Sequence, residues 1–291
     1  MRSTFALVNA ETFGFSRRAR GGRTDRYPSR IVCLTEETTE TLYLLEEDWR
    51  IVGISGFTVR PPRARREKPK VSAFISAKVD RIRDLRPDLV LGFSDLQADI
   101  AAQLVRLGLN VCVFNQRDIA SILQMIRVLG GMIGCEAKAD ALAVRLEQGL
   151  DEVRAAASRF ERRPRVYFEE WDEPMISGIR WVSDLIGIAG GEDCFADNAQ
   201  HALGKDRIIA DPLEVVRRAP DIILGSWCGK KFRPESVMAR PGWERVPAVV
   251  ARQLHEIKSS IILQPGPAAL TDGVRAMHDV MAQWQKSQAK A

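Results

Sequence analysis

One junction occurs twice in this chain. Leu85 to Ser94 reads LRPDLVLGFS and Arg218 to Trp227 reads RAPDIILGSW, matching at Pro, Asp, Leu and Gly, with Asp88 and Asp221 separated by 133 residues. A short apolar run entered through a proline and closed by a polar turn reads as a strand buried on both faces, the type found inside parallel sheets. A helical segment precedes each copy, Val79 to Leu85 and Leu213 to Arg218. Each half also begins with a basic residue followed by a strand-like run, RIVCLT at Arg30 and RVYFEE at Arg165. Such junctions also arise by chance in α/β proteins, but the shared order of the surrounding segments favours two related lobes.

Around the first copy, strands and helices alternate at the spacing of βαβ units. RIVCLT is followed by a helix through TTETLYLL, with Thr38 or Thr39 near its cap, and by the strand WRIVGIS (49–55). After PDLVLGF come a helix from Gln97 to Leu107, Gly108 as its stop, and the strand NVCVFN. From Ala137 to Phe160 the period changes. Leu142, Leu146, Leu150, Val153, Ala157 and Phe160 form one apolar stripe on a helix on the order of 36 Å long. The expected fold is α/β, with two doubly wound Rossmann-like lobes bridged by a single long α-helix and a ligand cleft between them. The expected boundaries are a flexible basic arm over 1–29, a first lobe over 30–130, the bridging helix over 131–160 and a second lobe over 161–285. GGMIG (130–134) would open that helix rather than form a phosphate loop, because no strand precedes it.

With 291 residues there is length enough for two lobes. Charge is mildly basic, 43 Lys and Arg against 38 Asp and Glu, and much of the excess lies in Arg17 to Arg30 and Arg60 to Lys70. Runs of this kind bind phosphates or form solvated segments. No nucleic-acid-binding motif accompanies either one, so no nucleic-acid partner is expected. The five cysteines form no CxxC pair, and Cys33, Cys112 and Cys228 sit in or beside apolar strands, as reduced thiols do. Asn9 and Glu11 interrupt any signal-like apolar run, so the chain as written is expected in the cytoplasm, or in the periplasm if a leader precedes it. No stretch approaches the roughly 18 apolar residues of a membrane span. A monomer is expected.

Ligands of open α/β sheets bind beyond the carboxyl ends of the strands. That rule collects Glu36, Glu37, Phe57, Ser94, Asn115, Gln116, Trp171, Trp227 and Cys228. Acid–base machinery is sparse among them. There is no GxSxG elbow, no GxGxxG, no Walker loop and no HExxH, and His201, His255 and His278 lack an evident partner, with His278 expected at an exposed position on the last helix. Glu169 and Glu170 are adjacent in a strand, which sends their side chains to opposite faces. Aromatic residues are more informative. Trp171, Trp181 and Trp227 in one lobe, and Phe57 and Phe74 in the other, either pack in cores or form walls on which a planar ligand stacks. Arg180 and Arg207 lie between the walls, where they could pair with a ligand's carboxylate or phosphate.

Together these stretches, with GIRWVSDLIGIAGGEDCFAD, PGWERVPAV and PGPAALTDG, resemble the class III solute-binding proteins, the vitamin B12 and iron-siderophore binding family of ABC importers. The resemblance runs from about Arg30 to Trp284 and is strongest to a cobalamin-binding branch whose members often lack an export signal. It implies non-catalytic binding of cobalamin, a ferric siderophore or a haem-like chelate between the lobes, with no intrinsic cofactor. Phe74 and Phe57 stand where B12 binders place a Trp and a Tyr, and Arg207 where they place a second Trp. Asp80 and Glu214 are the nearest matches to the acidic residues that dock an importer permease, although Leu213 occupies the second position itself. The alternative is a metal- or metallocofactor-handling protein or enzyme on the same fold, with Cys228 among its ligands.

Overall fold

Apolar strands buried on both faces need a core on each side. The computed structural model, which describes residues 26–288, supplies them. In the first lobe β1 (Ile31–Cys33), β2 (Ile51–Ser55), β3 (Lys70–Ser72), β4 (Leu89–Phe93) and β5 (Val111–Phe114) make a parallel sheet in the order β3-β2-β1-β4-β5. Helices α1 (Glu36–Leu44), α2 (Ala64–Glu67), α3 (Val79–Asp84) and α4 (Ala98–Arg106) connect these strands. Two helices follow, α5 (Ile119–Ile133) and α6 (Glu136–Ala157).

The second sheet holds β6 (Arg165–Asp172), β7 (Met175–Ser177), β8 (Glu192–Asp193), β9 (Ile222–Gly225) and β10 (Leu254–Glu256). Its order is β10-β9-β6-β7, with β8 also along β6, and only β7 runs antiparallel. Its helices are α7 (Arg180–Ala189), α8 (Leu213–Arg218), α9 (Pro234–Met238), α10 (Pro247–Val250), α11 (Ser259–Ile262) and α12 (Val274–Gln288).

Alternation along the strands assigns each side chain to a core. Ile31, Cys33, Leu89 and Leu91 of the first sheet, and Val166, Phe168, Ile222 and Leu224 of the second, belong to one continuous cluster with α5, α6, α7 and α12. Val32, Leu34 and Val90 face a private core of the first lobe, and Tyr167 and Ile223 a private core of the second. The lobes therefore share the layer between them.

The repeated Pro-Asp has one job in both lobes. Asp88 accepts from the backbone N–H of Arg30 at 2.9 Å, and Asp221 from that of Arg165 at 2.8 Å. Each carboxylate ties the start of the strand it precedes to the start of the neighbouring central strand.

The long helix needs a correction. It exists as α6, about 33 Å long by its 22 residues, but Gly130 to Gly134 close a preceding helix instead of opening this one. Asp118 caps α5, accepting from Ser121 N–H at 2.8 Å while Ser121 Oγ accepts from Asp118 N–H at 3.0 Å. At Gly130 a Cβ would stand 2.2 Å from that of Ala139, so only glycine lets α5 and α6 cross this closely. Gly134 takes φ +70° at the helix end, and the ring of Tyr27 fills the space its side chain would need.

Most of the expected arm, residues 1–25, lies outside the described residues, while its end is fastened. Pro28 O accepts from Arg50 at 2.5 Å and Ser29 N–H donates to Asp88 at 2.7 Å. The Arg60 to Lys70 run is likewise engaged: Arg63 lies over the Tyr43 ring, and Arg65, Lys68 and Lys70 donate to backbone carbonyls.

Candidate ligand cleft

Strand parity also sorts the strand ends. Residues an even number of positions from Tyr167 or Ile223 point into the private core of the second lobe, and there both Trp171 and Trp227 lie. Trp227 is 4% exposed, meets Phe232 edge-on at 5.0 Å and donates its indole N–H to Glu169 at 3.0 Å. Fully buried Glu169 also accepts from Tyr167 at 2.9 Å and from Arg240 at 2.5 and 2.9 Å. Trp171 is half-buried, donates to Glu173 O at 2.8 Å and carries the Lys230 ammonium 4.2 Å above its ring. Trp181 stands in the first turn of α7, 4% exposed within the shared core, with its N–H on Ile262 O at 2.9 Å. Trp181 and Trp227 thus offer no ring face to a ligand. Their apolar areas are worth more in the cores, and each buried N–H has found an acceptor.

Odd positions point the other way. Glu170, Ser226 and Cys228 extend the face that looks toward the first lobe, so Glu169 and Glu170 do diverge as expected. Glu170 holds Arg207 bidentately at 2.6 and 3.2 Å, and Arg207, 2% exposed, also donates to Ser177 O. Cys228 is exposed; partial burial, then the carboxylates of Glu170 and Glu36, push its thiol up. Glu36 comes from the first lobe, which puts a group of each lobe within electrostatic reach across the gap.

On the first lobe's side the floor is Glu36, Gln116 and Arg117. Ser55 Oγ donates to Glu36 at 3.1 Å, and Gln116 donates to Pro265 O at 3.0 Å while its own buried oxygen has no partner. Arg117 lies over Phe93 at 5.1 Å and pairs with Asp95 at 3.2 Å; desolvation lowers its pKa, with nearby Arg207 adding to the effect. Arg180 and Asp118 approach to 4.0 Å from the two lobes. Above the floor the first lobe is apolar. Phe57 is 55% exposed, Ile75 72% and Leu96 57%, each in the connection just after a strand, Leu96 in the 3-10 turn Asp95–Gln97, and Phe74 next to Ile75 is half-buried. Arg117, Ile75 and Leu96 escaped the sequence reading, since nothing in a loop's composition says which of its side chains stays out of the core.

Buried carboxylates support this face from behind. Burial, with Glu36 adding to it, pushes Glu37 up to about 8, and its partner is the Thr35 hydroxyl at 2.5 Å rather than a cation. Glu40 is bracketed by Arg60 at 2.8 Å and Ala268 N–H at 3.1 Å, and Arg60 continues to Asp272 at 2.8 Å. At the expected docking positions Asp80 is exposed in the first turn of α3, with Arg83 at 3.1 Å. Glu214, in the first turn of α8, is held by Arg217 and Arg218 at 2.7 and 2.8 Å, and Leu213 beside it is exposed.

Among the described residues no group of three His, Cys, Asp or Glu is placed to hold a metal ion. Cys228, named in the metal-site alternative, stands outside any such group among the described residues. His278 is half-buried rather than exposed, stacked on Phe160 at 5.2 Å with Nδ1 donating to Ala189 O at 3.0 Å, and His255 lies 3.0 Å from Gln253. No described helix is long and apolar enough to cross a membrane.

The profile of the periplasmic binding protein family matches residues 31–261. An uncharacterized ABC transporter substrate-binding lipoprotein of Bacillus subtilis is 23% identical over 86% of this chain and 79% of its own length. Two solved structures share the fold: a periplasmic haem-binding protein from Roseiflexus (TM-score 0.73, 23% identity, 87% of this chain and 99% of that one) and the periplasmic vitamin B12 binding protein of Vibrio cholerae (TM-score 0.70, 20% identity, 89% and 98%).

Proposed function

This chain belongs to the periplasmic binding protein family, and we propose that it holds a flat metal-chelate ligand, a corrinoid or a haem-like compound, between its lobes without transforming it. The observation that carries this reading is the cleft's first wall. Phe57, Phe74, Ile75 and Leu96 leave apolar surface in solvent at the mouths of consecutive strands, where an isolated monomer would gain by covering it. The second lobe brings polar groups, Glu170, which is held by the buried Arg207, and the exposed Cys228. A planar macrocycle with polar edges fits such a gap, one face on the aromatic side and its substituents toward the charges. The names of its relatives, which include haem-binding, vitamin B12-binding and ABC transporter proteins, agree with that chemistry.

Delivery to an ABC importer follows from the same reading. A permease that docks on acidic residues would find one in the open at Asp80, whereas Glu214 is already neutralised by two arginines.

The test is an absorbance titration of purified protein with ferric haem, aquocobalamin and cobinamide. At least one should bind with a dissociation constant of about 1 µM or tighter. Unchanged spectra with all three would refute the planar-ligand reading.

A further inference from the structure

Beyond β9 the second lobe has a cavity of about 300 Å³, lined by Asp172, Trp227, Lys230, Lys231, Arg233 and Ser236. Three cations against one carboxylate is an unusual lining for a space this small. The carboxylate is already taken, because Lys230 pairs with Asp172 and lies against the rings of Trp171 and Trp227 at 4.2 and 5.2 Å. Lys231 and Arg233 are exposed, and among the described residues neither has an ion pair or a side-chain hydrogen bond. Lys231 is within electrostatic reach of Glu256, but that carboxylate is bonded to Lys258 at 2.5 Å. Two cations are thus left facing a cavity with no anion to satisfy them, and Ser236 adds a hydroxyl at its wall.

One backbone step separates a residue that lines this cavity from one that faces the first lobe. Trp227 forms the cavity's wall and Cys228, the next residue, faces the first lobe, so the Lys230 to Arg233 loop leaves directly from the cleft's edge. Its volume is roughly ten times the ~30 Å³ share of a liquid water, room for a hydrated side arm.

We propose that this cavity seats an anionic substituent, a carboxylate or a phosphate, of the ligand whose body occupies the cleft, with Lys231 and Arg233 reading its charge. The inference rests on the planar-ligand reading above. Charge-assisted hydrogen bonds from an ammonium and a guanidinium fork are strong, and the fork matches the oxygens of either group. The seat makes the second lobe the one that selects among ligands of similar flat shape.

Ferric haem and its dimethyl ester share one ring and differ in charge, and cobalamin carries a phosphodiester that cobinamide lacks. Titration of the wild type should favour the member that carries the anionic group, haem or cobalamin, in at least one pair by about tenfold, equal to about 1.4 kcal/mol. The double variant Lys231→Gln/Arg233→Gln should bring the members of that pair to within about twofold by lowering affinity for the member with the anionic group alone, as expected when two exposed cations are removed. Equal affinities in the wild type, or a preference that survives in the variant, would overturn the seat while leaving the planar-ligand reading intact. Binding of inorganic phosphate by calorimetry, with no preference within either pair, would mean that the cavity takes a free anion and would overturn it too. If none of the four compounds binds, the planar-ligand reading itself fails and the seat falls with it.

Discussion

The two lobes use the same frame and treat its open end in opposite ways. In both, a Pro-Asp carboxylate ties two neighbouring strands together, through Asp88 and Asp221. At the strand ends the first lobe leaves apolar groups in solvent, spends most of the cations of its Arg60 to Lys70 run on internal carbonyls and carboxylates, and buries Glu37 beside hydroxyls. The second lobe hides Trp227, gives buried Glu169 an arginine, and leaves Lys231 and Arg233 outside. A shared topology fixes where the loops emerge. Which side chains face the ligand is decided locally, by strand parity and by which charges are already paired.

The lobes differ most in how they hold their buried carboxylates. Arg240→Met should destabilise the protein by about 3–5 kcal/mol, because Glu169 would be left charged and buried without its cation. Urea unfolding measures it, and a loss below about 1 kcal/mol would show that the indole and phenol donors suffice alone.

The tryptophan and the phenylalanine come next. Trp181→Ala should cost about 3–5 kcal/mol of stability and leave the affinity of the folded protein nearly unchanged, because the ring is 4% exposed in the shared core. Phe57→Ala should do the reverse, changing stability by no more than about 0.5 kcal/mol and weakening binding by about 1–3 kcal/mol, the range for stacking on an exposed ring. If Trp181→Ala abolishes binding without destabilising, the assignment of the two rings is wrong.

The smallest effect depends on pH. Glu37 is raised to about 8 in the folded protein against an ordinary value of 4.5. Below 4.5 both states hold the proton, so burial has no pH-dependent effect there. As pH rises toward 8 the unfolded chain releases the proton while the folded one keeps it, and stability is lost. Glu37→Gln removes that loss, so its melting temperature should gain on the wild type between pH 5 and pH 8. A gap that stays constant over this range would contradict the assignment.

Much of the frame was legible in the sequence. The alternation, the repeated junction, Gly108 as a helix end and the divergence of Glu169 from Glu170 all follow from periodicity and turn chemistry. The placement of the tryptophans did not follow, for a definite reason. A strand buried on both faces has no polar side to mark which core is which, so the even spacing of Tyr167 to Trp171 and of Ile223 to Trp227 fixes their common face without saying where it points. Helix α5 was hidden differently. Its cap is the less familiar pairing of Asp118 with Ser121, and the glycines that end it resemble a start. Arg117 gives no sequence signal at all, since its role depends on Phe93, contributed by another strand.

The layer between the sheets also bears on how the chain comes to be folded. Ile31, Ile51 and Leu89, near the beginning, belong to a cluster completed by Ile262, Leu270, Met277 and Trp284. A nascent chain that has made the first lobe with α5 and α6 still lacks the part of this layer from Ile262 to Trp284 until more than a hundred further residues have left the ribosome. Contacts so distant in sequence are slow to form. During synthesis the first lobe would be the half in greatest need of a chaperone, although it is the half that emerges first.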